Sequence, residues 1–348
     1  MTQTPMTDPL LLEAAADIFA SVCTPADLEA AEADGWAPQA WAAVAEAGLP
    51  WISVPESAGG EGGSLTDALA VLRVAGRFGL PVPIAETGVL AGWLLASAGL
   101  QAERLPTTVA DATGLDWDGT TLTGTVRNVA WGAAASRLVV LAGTSVLVFD
   151  PTTLRVERHT GLAGEPSDTV CFEAAAPLAV GTAPVGVDSD TLALRGALTR
   201  VVLMSGALEQ VLVTTVRYTE ERQQFGKPVG RFQAVQQHLV HIGQQTALLD
   251  MAAAQASASA DSGADADLQR FHVLAAKSVA DDAARIATRA AHQAHAAMGM
   301  TREYPLHYAT RRLWAWTRQW GTGAQVAGAL GASVLDAGAD AFWPTLTR

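Results

Sequence analysis

The sequence predicts a mainly helical α+β protein, on three observations. Apolar residues recur at helical spacing through about the first hundred residues and again from about residue 189 onward. Between these regions lie short segments rich in Val, Leu and Thr, separated by Gly, Asp and Pro, as in a compact antiparallel sheet or barrel. No long helical pattern interrupts those segments and no Gly-x-Gly-x-x-Gly follows a strand, which argues against a parallel dinucleotide-binding sheet. The expected order is an N-terminal helical domain (1–104), a middle β domain (105–188) and a C-terminal helical bundle (189–348).

Composition sets the outer limits. The 348 residues exceed what one core usually organises, and 49% hydrophobic with 16% charged residues describes a well-buried chain. A formal net charge of −13 argues against nucleic acid or an anionic membrane as the main partner, and leaves an anionic ligand only a local positive site. Cys23 and Cys171 are too few and too far apart for a disulfide framework, and neither sits in a metal-ligand spacing, which fits a reducing cytoplasm. Met1–Asp8 carries no basic region ahead of its apolar run, and the runs at Val89–Leu100 and Leu138–Phe149 are too short to span a bilayer.

Taken in order, Leu10, Leu11 and Ile18 belong to a first helix, Pro25 opens a second in its first turn, and Pro38–Ala47 forms a third that ends at Gly48. The glycine-rich Trp51–Gly63 lacks the preceding strand and following lysine of a phosphate cradle, so it reads as a flexible connector. Ser64 then caps a helix over Leu65–Phe78, with Asp67 in its first turn, and another helix covers Ile84–Ala98. Strands are expected at Thr107–Asp111, Thr121–Thr125, Arg137–Ala142, Ser145–Asp150, Arg155–His159 and Thr169–Phe172. Four long helices follow, near Leu192–Thr219, Phe232–Ser259, Asp265–Met298 and Tyr304–Gln319, and their apolar stripes favour an antiparallel bundle.

Chemistry concentrates between the first two of those helices, in Arg217–Gln233. Gly226 and Pro228 break the helical pattern, which puts Arg222 near a helix C-terminus. Two roles suit it: a complement to the helix dipole, or a bidentate donor to a phosphate with Phe225 as a flat apolar neighbour. His238/His241 and His292/His295 are i, i+3 pairs, yet they lack the inward carboxylates of a bundle metal site, so packing or polar faces are expected and no metal. Adjacent Glu220/Glu221 and Asp281/Asp282 read as solvated faces, and no serine elbow or Cys–His pattern supports a nucleophile. Trp316 and Trp320 share a helical face, which reads as core or interface.

These segments resemble the acyl-CoA dehydrogenase family. Tyr218-Thr-Glu-Glu-Arg-Gln-Gln-Phe-Gly-Lys-Pro-Val with Phe232-Gln-Ala-Val-Gln carries the most specific likeness, and Gln293-Ala-His-Ala-Ala-Met-Gly-Met-Thr-Arg-Glu-Tyr-Pro-Leu a second. Ile52-Ser-Val-Pro-Glu with Gly59 and Gly60, and Leu122-Thr-Gly-Thr-Val-Arg-Asn-Val, extend it through nearly the whole length in matching order. The resemblance implies an N-terminal helical domain, a middle β-barrel, a C-terminal four-helix bundle, and FAD bound across a subunit interface. Arg222, Gln224 and Phe225 would then contact the diphosphate and adenosine side of a neighbour's FAD, with Gln293, the Ala296–Ala297 backbone and Thr322 serving the same dinucleotide.

The implied reaction takes a proton from the carbon beside a thioester carbonyl while a hydride leaves the next carbon, which requires a carboxylate base. Three departures stand out. The two base positions of the family fall on Trp320 and Thr199; its Thr-Glu-x-x-x-Gly-Ser-Asp segment is missing between Gln101 and Leu122; and its paired glycines are Ala296 and Ala297. These resemble short actinobacterial members that work as heteromers on bulky acyl-CoA thioesters, including steroid side chains. The expectation is an FAD-dependent subunit lacking the base, with a homologous catalytic subunit as partner in a heterotetramer, and an electron-transfer flavoprotein or other acceptor. Two alternatives are a non-redox scaffold and a homomeric enzyme using Glu303 or Glu209.

Overall fold

The computed structural model describes residues 7–261, 265–338, 340, 343 and 344. Helices α1 (Pro9–Val22), α2 (Pro25–Asp34) and α3 (Pro38–Glu46) each begin on a proline, whose fixed φ suits the first turn and whose missing N–H would have no partner there. Thr24 and Asp27 complete a capping box on α2, and Gly35 ends it at φ +68°. The Gly59–Gly63 stretch is not a loose connector. Gly60, Gly62 and Gly63 donate backbone N–H to Pro55, Val54 and Ile52, and a Cβ at Gly60 would lie 2.1 Å from the Val54 carbonyl oxygen. The glycines are there to let the chain fold tightly back on itself.

Ser64 and Asp67 cap α4 (Leu65–Phe78) through mutual side-chain and backbone bonds. The expected single helix over Ile84–Ala98 divides into a fully buried π-helical segment, Ala85–Gly92, and the short α5 (Trp93–Ser97). A Cβ at Gly88 would meet the Pro50 carbonyl oxygen at 1.8 Å, and the Val89 carbonyl accepts from Arg195 Nε at 2.6 Å. That close approach and that side-chain donor stabilise the wider turn.

The β region holds β1 (Thr107–Asp111), β2 (Asp116–Trp117), β3 (Leu122–Ala130), β4 (Arg137–Ala142), β5 (Ser145–Phe149), β6 (Arg155–Glu157), β7 (Ser167–Ala175) and β8 (Ala179–Thr182). They do not close into the expected barrel. Two four-stranded sheets form instead, in orders β1-β4-β5-β8 and β2-β3-β7-β6, and β1 runs parallel to β4. Short edge strands and register shifts along β3–β7 leave each sheet open, and the sheets bury Leu122, Leu138, Val140, Leu147, Phe149, Val170 and Phe172 in one core. Asp116–Trp117 and Ala179–Thr182 lacked the run length that marks a strand in sequence.

Helices α6 (Ser189–Glu221), α7 (Gln233–Asp261), α8 (Ala266–His295), α9 (Leu306–Trp316) and α10 (Gly323–Ala337) follow, with β9 (Gln223–Gln224) and β10 (Lys227–Pro228) between α6 and α7. Helix α6 is long and apolar enough to cross a membrane, but 78% of its apolar window is buried within the protein, as in a core helix. α10 was not foreseen because its Ala, Gly and Ser content hides an apolar stripe. The chain forms two compact units, residues 7–75 with 80–199, and residues 76–79 with the chain from 200 onward.

Candidate functional site

All seven residues expected to hold the cofactor lie in the second unit, which is also where α6 ends. Arg222 N still bonds to the Tyr218 carbonyl at 2.9 Å, and the Arg222 carbonyl accepts from Val229 N at 2.8 Å. Between these points the chain makes a two-residue hairpin, with Gln224 opposite Lys227 and Gln223 opposite Pro228. Its turn residues, Phe225 and Gly226, have φ of +51° and +78°, the geometry that matches strand twist in such a hairpin. For a phenylalanine this backbone costs roughly 1–2 kcal/mol.

That strain sets the ring in solvent. Phe225 is 91% exposed, touching Phe232 edge-on at 6.1 Å, while Lys227 Nζ lies 4.4 Å over the Phe232 ring. Arg222 and Gln224 are exposed, and the Arg222 guanidinium has no side-chain partner among the described residues. A cation, an amide and an aromatic face therefore project together from a rigid corner, ready for an anionic and aromatic ligand.

A second segment adjoins the first through an aromatic stack. Tyr218, one helical turn before Arg222, stacks on His295 at 4.3 Å, and its hydroxyl reaches the His295 carbonyl at 3.3 Å. α8 ends at His295, and Ala296 takes φ +51° and ψ −133°, a conformation that favours glycine. Gln293, Ala296 and Ala297 are exposed at this turn. Alanine thus stands where a glycine would be comfortable, and the turn keeps the glycine geometry anyway.

The third segment is the α9–α10 corner. α9 ends at Trp316, so Trp320 leaves the helical face it was expected to share and sits half-buried at φ +57°, followed by Gly321 at φ +99°. The Thr322 hydroxyl is occupied in a capping box with Gln325. Below it, Lys277 is fully buried. Its ammonium donates to Asp281 Oδ1 at 2.8 Å and to the Trp316 and Thr317 carbonyls at 3.3 and 3.1 Å. Asp281, expected on a solvated face, is instead half-buried against Gly323, at the start of α10. Burial pushes the Lys277 ammonium down and the Asp281 carboxyl up, each opposed by the other's charge. Arg200, 3% exposed, donates through its Nε to Gln319 Oε1.

No carboxylate occupies either position where the family resemblance would put a base. Trp320 fills one; at the other Thr199 is fully buried and its hydroxyl donates to the Gly196 carbonyl at 2.7 Å. Glu209 lies 3.4 Å from Arg77, which holds it in an ion pair, and Glu303 is exposed. Among the described residues no group of three or more His, Cys, Asp or Glu side chains could hold a metal ion. His292 and His295 instead bond to the Gly299 and Ala291 carbonyls at 2.7 and 2.8 Å.

The second unit thus presents a guanidinium with no side-chain partner among the described residues, a ring held out at a strained φ, and a glycine-type turn. The reacting end is not furnished with a base by Trp320 or Thr199.

Comparison with known proteins gives a consistent assignment. The family model described as "Acyl-CoA dehydrogenase, N-terminal domain" matches residues 7–107, and "Acyl-CoA dehydrogenase, C-terminal domain" matches 192–327. The chain is 31% identical over 295 residues to acyl-CoA dehydrogenase FadE34 of Mycobacterium tuberculosis, a match covering 82% of this chain but 40% of that protein. Acyl-CoA dehydrogenase IpdE2 of the same organism is 27% identical over 314 residues, covering 87% of this chain and 89% of its own. The ChsE4-ChsE5 complex from Mycobacterium tuberculosis superposes with a TM-score of 0.82 at 22% identity, over 97% of this chain and 100% of that one. A variant of the Tcur3481-Tcur3483 steroid ACAD gives 0.80 at 26% identity, over 93% and 96%.

Proposed function

The chain belongs to the acyl-CoA dehydrogenase family, whose members are FAD-binding flavoproteins, and we propose that it is the base-deficient subunit of a heteromeric, FAD-dependent enzyme that desaturates an acyl-CoA thioester. The observation that carries this reading is a mismatch. The Arg222 guanidinium has no side-chain partner among the described residues and Phe225 stands in solvent, whereas Trp320 and Thr199 stand where the base would be.

In this reading FAD supplies the hydride acceptor when bound. Arg222 donates two parallel N–H groups to a phosphate, Phe225 covers a flat ring, and Gln224 and Gln293 donate or accept at its polar edges. Ala296 and Ala297 offer backbone N–H and C=O groups at an exposed turn. The proton beside the thioester carbonyl is taken by a carboxylate on the homologous partner subunit, because the first two positions to search on this chain hold an indole and a spent hydroxyl. Solved relatives named as a two-component complex and as a steroid ACAD support a heteromer acting on a bulky acyl group. Electrons would then pass to an electron-transfer flavoprotein or another acceptor.

The test is to purify the chain alone and together with a homologous acyl-CoA dehydrogenase subunit, then record the flavin spectrum and its bleaching by acyl-CoA. Flavin and bleaching are expected only in the pair. Stoichiometric FAD with full bleaching in the lone chain would overturn the heteromer reading. A scaffold that only stabilises its partner is the second reading, and it predicts that Arg222→Ala leaves flavin content of the pair unchanged.

A further inference from the structure

Among the described residues His295, beside the Ala296 turn, carries a buried ring nitrogen with nothing to bond. The residue is 1% exposed; its Nδ1 lies 2.8 Å from the Ala291 carbonyl, and its Nε2 is buried with no hydrogen-bond partner. A carbonyl partner makes Nδ1 the protonated nitrogen, so Nε2 carries a bare lone pair. Protonating it would place a charge and an unsatisfied N–H in a buried site beside two aromatic rings.

Those rings belong to the two cofactor segments. Tyr218, four residues before Arg222, stacks on the imidazole at 4.3 Å and 23°, and Tyr304 packs against both rings, 5.0 Å from the imidazole and 5.2 Å from Tyr218. Tyr304 is in turn tied to α6, with its hydroxyl 3.3 Å from the Thr214 carbonyl. The next residue, Ala296, holds the glycine-type turn, and a Cβ on Gly299 would meet His295 Cβ at 2.9 Å and the His292 carbonyl at 3.1 Å. Ala296 thus takes its strained conformation directly after a buried, stacked imidazole.

We propose that neutral His295 is a positioning residue that locks the Ala296–Met300 turn to the Arg222 end of α6, and that a single proton on its Nε2 releases the lock. This deepens the cofactor reading given above and rests on it for its functional consequence, but the lock itself is a property of the isolated chain. Tyr218 and Tyr304 face the ring directly and His292 of α8 acts on it; Arg217 and Glu221 of α6 act on Tyr304 beside it. Burial is the largest influence on His295 and lowers its affinity for a proton; the Ala291 carbonyl opposes this and His292 adds to it. A group whose folded affinity is lowered stabilises the locked form above its unfolded pKa of about 6.5, and loses that contribution as pH falls below it.

The test reads amide hydrogen exchange of residues 297–300 in the isolated chain, as protection factors corrected for intrinsic rate, across pH 5.0–7.5. One proton bound only in the open form changes opening by at most about tenfold per pH unit. Wild type should lose protection by several-fold between pH 6.5 and 5.5, while His295→Phe, which keeps a stacking ring but cannot titrate, should show a pH response below about twofold. An equal response in both proteins would overturn the proposal. Should His295→Phe fail to fold, the His295 Cε1–H resonance of wild type serves instead: titration midpoint at or above 6.5, or protection that does not follow it, overturns the lock. Failure of the cofactor reading is seen separately, as Arg222→Ala leaving flavin binding of the subunit pair unchanged while the pH-dependent protection persists.

Discussion

Phe225 shows most directly how strain and function meet at a single residue. A positive φ on an exposed aromatic brings no burial to offset it, since the ring is 91% in solvent. Phe225→Gly removes about 1–2 kcal/mol of backbone strain but adds about 0.5–1 kcal/mol of chain entropy, so thermal stability should stay near wild type. Flavin retention by the subunit pair should nonetheless fall; a loss of stability with no loss of flavin would make the ring structural. Arg222→Ala tests the neighbouring charge. Losing a hydrogen bond to a charged phosphate costs about 1.5–3 kcal/mol, or roughly ten- to a hundredfold in FAD affinity, with little change in melting temperature because the side chain has no partner in the described chain. Ala296→Gly should act in the opposite sense on stability, raising it by about 1 kcal/mol in chemical denaturation, since glycine accepts φ +51°, ψ −133° without a Cβ clash.

At the scale of elements, α8 is the helix that holds the corner where a base would stand. Its Lys277 and Asp281 lie one turn apart; the first satisfies two carbonyls at the end of α9 and the second meets the start of α10. Breaking a buried pair strands a charge, so Asp281→Asn should destabilise by about 3 kcal/mol near pH 7 in urea titration. Its cost has a definite pH sign. Burial holds the Lys277 affinity for a proton below that of the unfolded chain, so stability rises as pH climbs toward the unfolded value of 10.5, and the variant's deficit should shrink over that window. A deficit independent of pH would mean that the lost carboxylate, not the stranded ammonium, carries the cost. The same corner explains a failure of the sequence reading: adjacent Asp281 and Asp282 looked alike, but only Asp282 is exposed, where it pairs with Arg285 at 2.9 Å.

For the whole molecule, apolar side chains remain in solvent on helices with few charges. Val240, Leu248 and Met251 of α7 are 55%, 50% and 75% exposed, and Leu335 of α10 is 82% exposed. A proposed homologous subunit gives such faces something to cover. Leu248→Glu combined with Met251→Glu should leave the isolated chain within about 0.5 kcal/mol of wild type, as surface changes generally do, and should reduce co-purification of the partner subunit. Unchanged co-purification would place the assembly surface elsewhere.

Sequence alone determined the helix–β–helix order, several helix starts and the break between α6 and α7, because prolines, capping residues and glycines act within a few residues of chain. The family resemblance, carried by local motifs, is what brought Arg222, Phe225, Gln293 and Trp320 into one functional expectation. Only the tertiary structure decided that two open sheets replace the expected barrel, that the Gly59–Gly63 stretch is tightly folded, and that Trp320 leaves the α9 face. It alone buried Lys277, Asp281 and His295. The physical reason is the same throughout: burial and strand closure depend on residues far apart in sequence, and the energetic meaning of a charged or titratable side chain depends on what surrounds it.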